Sequence, residues 1–476
     1  MHRLKSGSAS RFPESGIDKT RTMPFMRRQI AVIGSGIAGL ASAWLIGRSH
    51  DVTLIERNDY VGGHTHTIDC DEDGRSVPVD TGFIVYNVAN YPLLTRLFEV
   101  LGVATREGDM SFSASIGPGA IEYSGDSLNT LFAQRRNLLD PRFLRMAADI
   151  VRFNRRCKRM LRCGGFNGLS VGELIKRERM SDGFRDHFLL PMAAAIWSCP
   201  TRTMLDFPAE SLARFFNNHG LLNLIDRPLW RTVTGGSARY VERLLDEIGR
   251  ERVKLDAARS LRRTGQGVDI TLASGEQMQF DDAVLACHAD QALALLEQPN
   301  EAERELLGRF RYQPNRTFLH TDTALMPRRR QVWSSWNYLS QVNQDGSQAV
   351  SVTYWMNRLQ GLETEREYLV SLNPLSPPRA EHIIAEMTYD HPVFVQAAMD
   401  AQPRLAALQG RDRVWFCGSY FGYGFHEDAL ASAVEMAAHL GVETGILTDS
   451  LPDQASIPRP QRTGNPATTT PAGSTV

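Results

Sequence analysis

Three short stretches of this sequence carry residue types and spacings that could do chemistry. Gly34, Gly36 and Gly39 form G-x-G-x-x-G within QIAVIGSGIAGLASAWLIGRSHDVTLIER (29–57). Gly62 and Gly63, followed by His64, make a second glycine site shortly after Glu56 and Arg57. Near the far end, GYGFHED (422–428) sets Tyr423 and His426 among glycines and acids, ahead of the small-residue run ALASAVEMAA. The first stretch suits a pyrophosphate. Gly34 permits a tight turn, Gly36 beside Ser35 lets the ligand approach the backbone, and Gly39 lets helix pack on strand. Ile37 and Ala38 then open a helix whose unpaired N–H groups face the phosphates. Tyr423 and His426 are acid/base candidates, since a phenol and an imidazole can each hold or release a proton.

These residues need elements to position them. IAVIG reads as a buried strand, LASAWLI continues at helical spacing, and DVTLIE is a second strand ending in Glu56, placed to bind ribose hydroxyls. This strand–turn–helix–strand context predicts dinucleotide binding. Residues 252–296 read as alternating strands ending in the buried run AVLAC. Gly117-Pro118-Gly119 is too short for a second fingerprint, and its proline is wrong for a strand–helix turn. No second dinucleotide site is expected, so electrons taken from a substrate would pass on to oxygen or a quinone.

The chain has 476 residues, which favours two folded units. Its 53 Lys and Arg against 54 Asp and Glu leave a net charge of -1, which disfavours a globally basic nucleic-acid binder. The six cysteines are scattered without a CxxC pair, so neither a disulfide framework nor a structural metal is expected, and a reducing cytoplasm fits. No apolar run approaches the ~20 residues that a membrane-spanning helix needs. Residues 1–27 are polar and basic and read as a disordered N-terminal extension; 449–476, rich in Pro, Thr and Gly, reads as a disordered tail. Residues 134–163 read as a basic amphipathic helix. Phe143, Met146, Ala147, Ile150, Cys157 and Leu161 follow helical spacing, with six arginines from Arg142 to Arg159 on much of the remainder. Such a helix can lie on anionic headgroups, which would make the protein peripheral to the inner membrane surface; a solvated domain helix is the alternative. MPRRR (326–330) could add to that patch.

Glu56-x(5)-Gly62-Gly63-His64 resembles the extended fingerprint of the FAD-binding amine oxidase, protoporphyrinogen oxidase and phytoene desaturase superfamily. The resemblance implies an α/β fold, α+β overall: a Rossmann-like FAD-binding domain with an inserted mixed substrate domain. VPVDTGFIVYN (77–87) is similar to the segment that runs along the flavin, implying roles for Thr81, Gly82 and Phe83. TVTGGSARYVERLLDEI (232–248) resembles the segment that re-enters the FAD domain, and backbone near Val253 is implied to meet the adenine. RVWFCGSYFGYGFHEDALASAVEMAA (413–438) resembles the last element of the superfamily. There Gly418 and Ser419 reach the ribityl phosphate, Gly422 and Gly424 keep bulk off the ring, and the helix start at His426, Glu427 and Ala429 faces the flavin. Ser419 departs from the usual Asp. The FAD domain is then expected at 28–92, 232–298 and 408–447, with the substrate domain at 93–231 and 299–407.

From 29 to 447 the chain resembles a narrower bacterial group of amine-oxidase-like oxidoreductases, through LPMAAAIWSCP (190–200), VTYWMNRLQGL (352–362) and GYGFHED (422–428). That resemblance implies desaturation of methyl-branched fatty acyl chains of phospholipids, on the way to furan fatty acids, beside a lipid methyltransferase. Tyr423 and His426 are then the expected acid/base groups, with His288 and His320 in core or supporting roles. An oxidase of amines or other small substrates, and a flavin-stabilised non-catalytic partner of the methyltransferase, are the alternatives.

Overall fold

Strand β1 (Gln29–Ile33) enters a glycine turn and helix α1 (Ile37–Gly47), and the chain returns in strand β2 (Asp51–Glu56), parallel to β1. The computed structural model describes residues 27–197, 204–223, 228–342, 348–393 and 395–449. The expected extension and tail lie outside the described residues, apart from Arg27 and Asp449. Among the described residues β1 and β2 join three distant strands in one five-stranded sheet. Its order is 253–255, β2, β1, 282–285, 414–416, and every pairing is parallel.

The alternation of β1 explains why helices must cover both faces. Ile30 and Val32 join a core formed with α1, helix Ala238–Ile248 and helix His426–His439. Ala31 and Ile33 join a second core on the opposite face, with strands 258–263 and 268–272 and helices 289–295 and 301–307. A parallel sheet so covered is apolar on both sides, as the run IAVI required.

A seven-stranded mixed sheet is built from the inserted parts of the chain, in the order 383–393, 311–320, 369–372, 348–355, 336–342, 112–116, 121–124. Helix α2 (Pro92–Val100) begins at a proline, which suits a first turn, and the buried carboxylate of Glu427 accepts hydrogen bonds from Leu93 N at 2.8 Å and Leu94 N at 3.0 Å. Helix α3 (Leu128–Leu131) is short and precedes a 3-10 turn at Arg135–Leu138.

Helix α4 (Pro141–Cys163) starts later than the expected 134, because Pro141 sets the first turn and Asp140 caps it by accepting from Arg142 N at 2.9 Å. Its apolar face is spent inside the protein: Phe153, Cys157 and Met160 pack with helices 171–177 and 209–218, and Phe143 and Met146 with the mixed sheet. Asp149, buried on the same face, holds Arg145 at 3.2 Å and Arg152 at 2.9 Å. Two arginines of the 326–330 stretch are likewise engaged, Arg329 by the buried Glu122 at 2.8 Å and Arg330 by Glu367 at 2.5 Å. No helix among the described residues is long and apolar enough to cross a membrane.

One buried carboxylate ties distant segments together. Asp80 ends the hairpin 67–72/75–80 and accepts from Ser237 N at 2.8 and 3.0 Å, Ser237 Oγ at 2.8 Å and Thr67 Oγ1 at 2.5 Å. Burial raises its pKa to about 6 despite those donors. Asp80→Ala leaves buried donors without an acceptor, so urea unfolding should show a loss of about 3 kcal/mol.

Candidate functional site

The C-terminal ends of the parallel strands open on a cavity of about 700 Å³. Ligands in open α/β sheets bind at this edge. Gly34 turns the chain there at φ 100°, and its N–H is bonded to Ile55 O at 2.9 Å. A Cβ at Gly34 would lie 2.8 Å from Ala286 O, and one at Gly39 only 1.8 Å from Gly34 O. Gly39 therefore does not line the cavity; it lets α1 start close enough to aim its N–H groups there. Gly36 differs: a Cβ there meets nothing within 4 Å.

The second glycine pair folds onto the first. Gly63, at φ 60°, lies so close that its Cβ would sit 3.1 Å from Gly36 Cα. Glu56 and Ser35 lock the two loops. Ser35 N and Oγ donate to Glu56 Oε2 at 2.9 and 2.5 Å, Asn58 N donates to Oε1 at 2.8 Å, and Gly62 N donates to Ser35 Oγ at 3.1 Å. Gly36 has no side-chain cap to offer α1, so the first N–H groups of the helix are left for a ligand. This bare backbone cradle, open in front of Gly36, fits the pyrophosphate of FAD.

Gly34, Ser35, Gly36, Ile37, Ala38, Glu56, Arg57, Gly62, Gly63, His64, Gly82, Phe83, Gly418, Ser419, Tyr423, His426 and Ala429 all line this one cavity. Four expected cofactor residues do not: Gly39, Thr81, Val253 and Glu427. The Thr81 hydroxyl is spent on Tyr389 Oη at 2.6 Å and His66 O at 2.9 Å. Val253 is taken up in pairing with Leu54 at the sheet edge, and the backbone at Ala257–Arg259 borders the cavity instead. The Glu427 carboxylate turns away to α2, and burial raises its pKa to about 8. Gly422 makes room for Asp428 rather than for a ring, since its Cβ would be 2.2 Å from Asp428 Oδ1. Asp428 in turn accepts from Phe425 N at 2.9 Å, which shapes the loop ahead of the helix.

The expected acid/base residues are placed at the cavity but constrained. The His426 ring stacks on Phe83 at 3.8 Å, and its Nε2 lies 3.0 Å from Thr65 Oγ1 and 3.2 Å from Tyr240 Oη. Burial, then His64, lowers its pKa to about 3. Burial raises that of Tyr423, so the phenol stays protonated at neutral pH and can donate but not accept a proton there.

His219 was not a sequence candidate, because NNHG reads as an ordinary helix end, and it does follow helix Ala209–Asn218 directly. Only the fold brings it to the cavity, stacked on Phe215 at 3.8 Å and facing Trp230 at 5.9 Å. Its Nδ1 lies 3.0 Å from Phe215 O. A carbonyl can only accept, so Nδ1 carries the proton and Nε2 keeps a lone pair. That Nε2 is buried and has no partner among the described residues. Burial lowers the ring pKa to about 4.

The glycines separate binding from folding. Gly36→Val should leave the melting temperature of the cofactor-free chain unchanged and weaken FAD binding at least about tenfold, measured by flavin fluorescence titration. Gly39→Ala should lower both, because overpacking there costs about 1–3 kcal/mol.

The pH dependence has a defined sign. Burial lowers His64, His219, His288 and His320 to about 4, and His391 and His426 to about 3. The unfolded chain takes up those protons near pH 6.5, so stability falls as pH drops from about 6.5 towards 4. Asp80 and Asp428, raised to about 6, and Glu427, raised to about 8, act in the opposite sense but are fewer. The melting temperature should therefore be lower at about pH 5 than at about pH 7.

The comparisons agree with this geometry. The family model of flavin containing amine oxidoreductases matches residues 37–440. No curated protein matches the chain. The solved CLA-producing fatty acid isomerase from P. acnes superposes with a TM-score of 0.62 at 16% identity, covering 87% of this chain and 99% of that one. Cyclohexylamine oxidase from Brevibacterium oxydans IH-35A gives 0.62 at 15% identity, covering 87% of this chain and 100% of that one. At such identities the likeness is one of fold. The cofactor is FAD. With most of its length matched by the family model, the chain belongs to the flavin containing amine oxidoreductase family.

Proposed function

We propose that this flavin oxidoreductase desaturates a methyl-branched fatty acyl chain of a phospholipid. The observation that carries this reading is the wall of the cavity away from the glycine loops. It is built from Phe112, Met192, Ile196, Phe215, Leu221 and Trp336. Among the described lining residues the only carboxylates are Glu56 and Asp390. Glu56 is consumed by the two glycine loops, and Asp390 sits beside His391 on strand 383–393. A cationic amine entering the apolar end would meet no countercharge there, and burying an unpaired charge is costly. An acyl chain needs none.

Desaturation removes one hydrogen as hydride and one as a proton. FAD, when bound, would supply the two-electron acceptor, with oxygen or a quinone as the final oxidant. A branch methyl and an adjacent double bond spread the positive charge that develops on the chain. The neighbouring C–H becomes strongly acidic, so even a weak neutral base suffices. Nε2 of His219 holds the free lone pair for that proton, and Phe215 O fixes the tautomer from the other side of the ring. The aromatic and aliphatic walls keep water from the developing charge. A lipid methyltransferase that installs the branch is the partner this reading implies.

Adding a methyl-branched, unsaturated phospholipid without oxygen should bleach the flavin and give a product lighter by two hydrogens. Flavin that stays oxidised with every such lipid sinks the reading, and a product of unchanged mass with a shifted double bond replaces it with isomerisation. His219→Ala should slow flavin reduction about 100-fold or more while the bound-flavin spectrum is retained.

A further inference from the structure

Large apolar side chains stand exposed at nine positions among the described residues, and four of these gather in one short stretch: Leu128 (76% exposed), Leu138 (47%), Leu139 (87%) and Leu144 (42%). They belong to one corner of the fold. Arg135 Nη2 donates to Asn129 Oδ1 at 2.5 Å, which ties the 3-10 turn to α3, and Phe132 lies 5.8 Å from Phe143 on the first turns of α4. The inward residues of the corner, Leu131, Phe132, Phe143 and Met146, join the core beneath the mixed sheet. The leucines are left pointing outward. A single exposed leucine is ordinary, but a cluster marks a contact surface.

The charge around this corner narrows what can cover it. Residues 126–163 hold ten Arg and Lys against three Asp. Of those acids, Asp149 is buried and Asp140 caps α4. Along the outer ridge of α4, Leu144, Ala148, Val151, Arg155, Arg159 and Arg162 follow one another at steps of three and four, so they form one line on the helix. The line begins apolar at the leucine corner and turns cationic along the rest of the helix. Arg155, Arg159 and Arg162 enter no ion pair among the described residues. A second copy of the chain on this face would set arginines against arginines. A bilayer bearing anionic headgroups offers both things the surface lacks, an apolar interior for the leucines and phosphates for the arginines.

We propose that this corner docks the protein on an anionic lipid bilayer, with Leu128, Leu138, Leu139 and Leu144 inserted among the acyl chains and the arginines of α4 held at the headgroups. This differs from a helix lying flat through its own apolar face, because that face of α4 is buried in the protein. It rests on no residue that lines the cavity, so it stands or falls separately from the proposed reaction.

The test uses the full FAD-loaded chain and vesicles of phosphatidylcholine with or without phosphatidylglycerol, read by co-sedimentation. The wild type should sediment with the anionic vesicles and stay in solution with the neutral ones. Leu128→Asp/Leu139→Asp and Arg155→Glu/Arg159→Glu should each lower the bound fraction at least tenfold, with melting temperature and flavin absorbance unchanged. In Leu139→Trp the new indole emission should shift to the blue on anionic vesicles and be quenched by brominated acyl chains. Wild-type protein that ignores anionic vesicles overturns the proposal. So does binding that depends on the arginines but not the leucines. A self-association seen by sedimentation velocity and abolished by the leucine substitutions overturns it too, and assigns the corner to a second copy.

Discussion

The carbonyl oxygen of Gly34 lies where any side chain at position 39 would have to begin, 1.8 Å from an ideal Cβ. Much else follows from that contact. Because α1 can start directly against the turn, its unpaired N–H groups reach the cavity floor. Because Gly36 and Gly63 lack side chains, the second loop can close against the first, and the Glu56 carboxylate can hold both by accepting from Ser35 and Asn58. A carboxylate buried among backbone donors stabilises two loops that carry few apolar contacts of their own. The cradle is thus tied together by the protein's own hydrogen bonds.

The same burial that shapes the cavity sets its protonation. His64, His219, His288 and His426 all line it, and desolvation keeps each ring neutral at physiological pH. Neutral imidazoles differ only in what their nitrogens touch. His426 presents Nε2 to two hydroxyls, whereas Nε2 of His219 is buried without a partner among the described residues. Position along the chain says nothing of that difference; hydrogen-bond partners decide it. An apolar wall suits a reaction in which charge develops on the substrate and must not be quenched by water.

Helix α4 shows how a correct pattern can leave its meaning open. Its apolar period was readable from Phe143, Met146 and Cys157, and these residues are buried as a helical face. A periodic stripe does not say whether lipid or protein covers it. Here the stripe is covered by helices 171–177 and 209–218 and by the mixed sheet, while the outward surface is a ridge that joins the arginines to leucines outside that stripe.

The sequence alone determined what is local or carried by backbone chemistry. The turn at Gly34, Gly36 and Gly39, the flanking strands, the paired glycines at 62 and 63, and the glycine-rich loop before His426 were legible because glycine spacing and strand apolarity act over a few residues. Tertiary structure decided what depends on how the chain packs. Glu427 turned out to cap α2, Val253 yielded its place at the cavity to Ala257–Arg259, Asp428 filled the space at Gly422, and His219 became a cavity residue. The physical reason is that a side chain's role follows from its burial and its hydrogen-bond partners. Those are properties of the packed chain, not of the neighbours that precede and follow a residue.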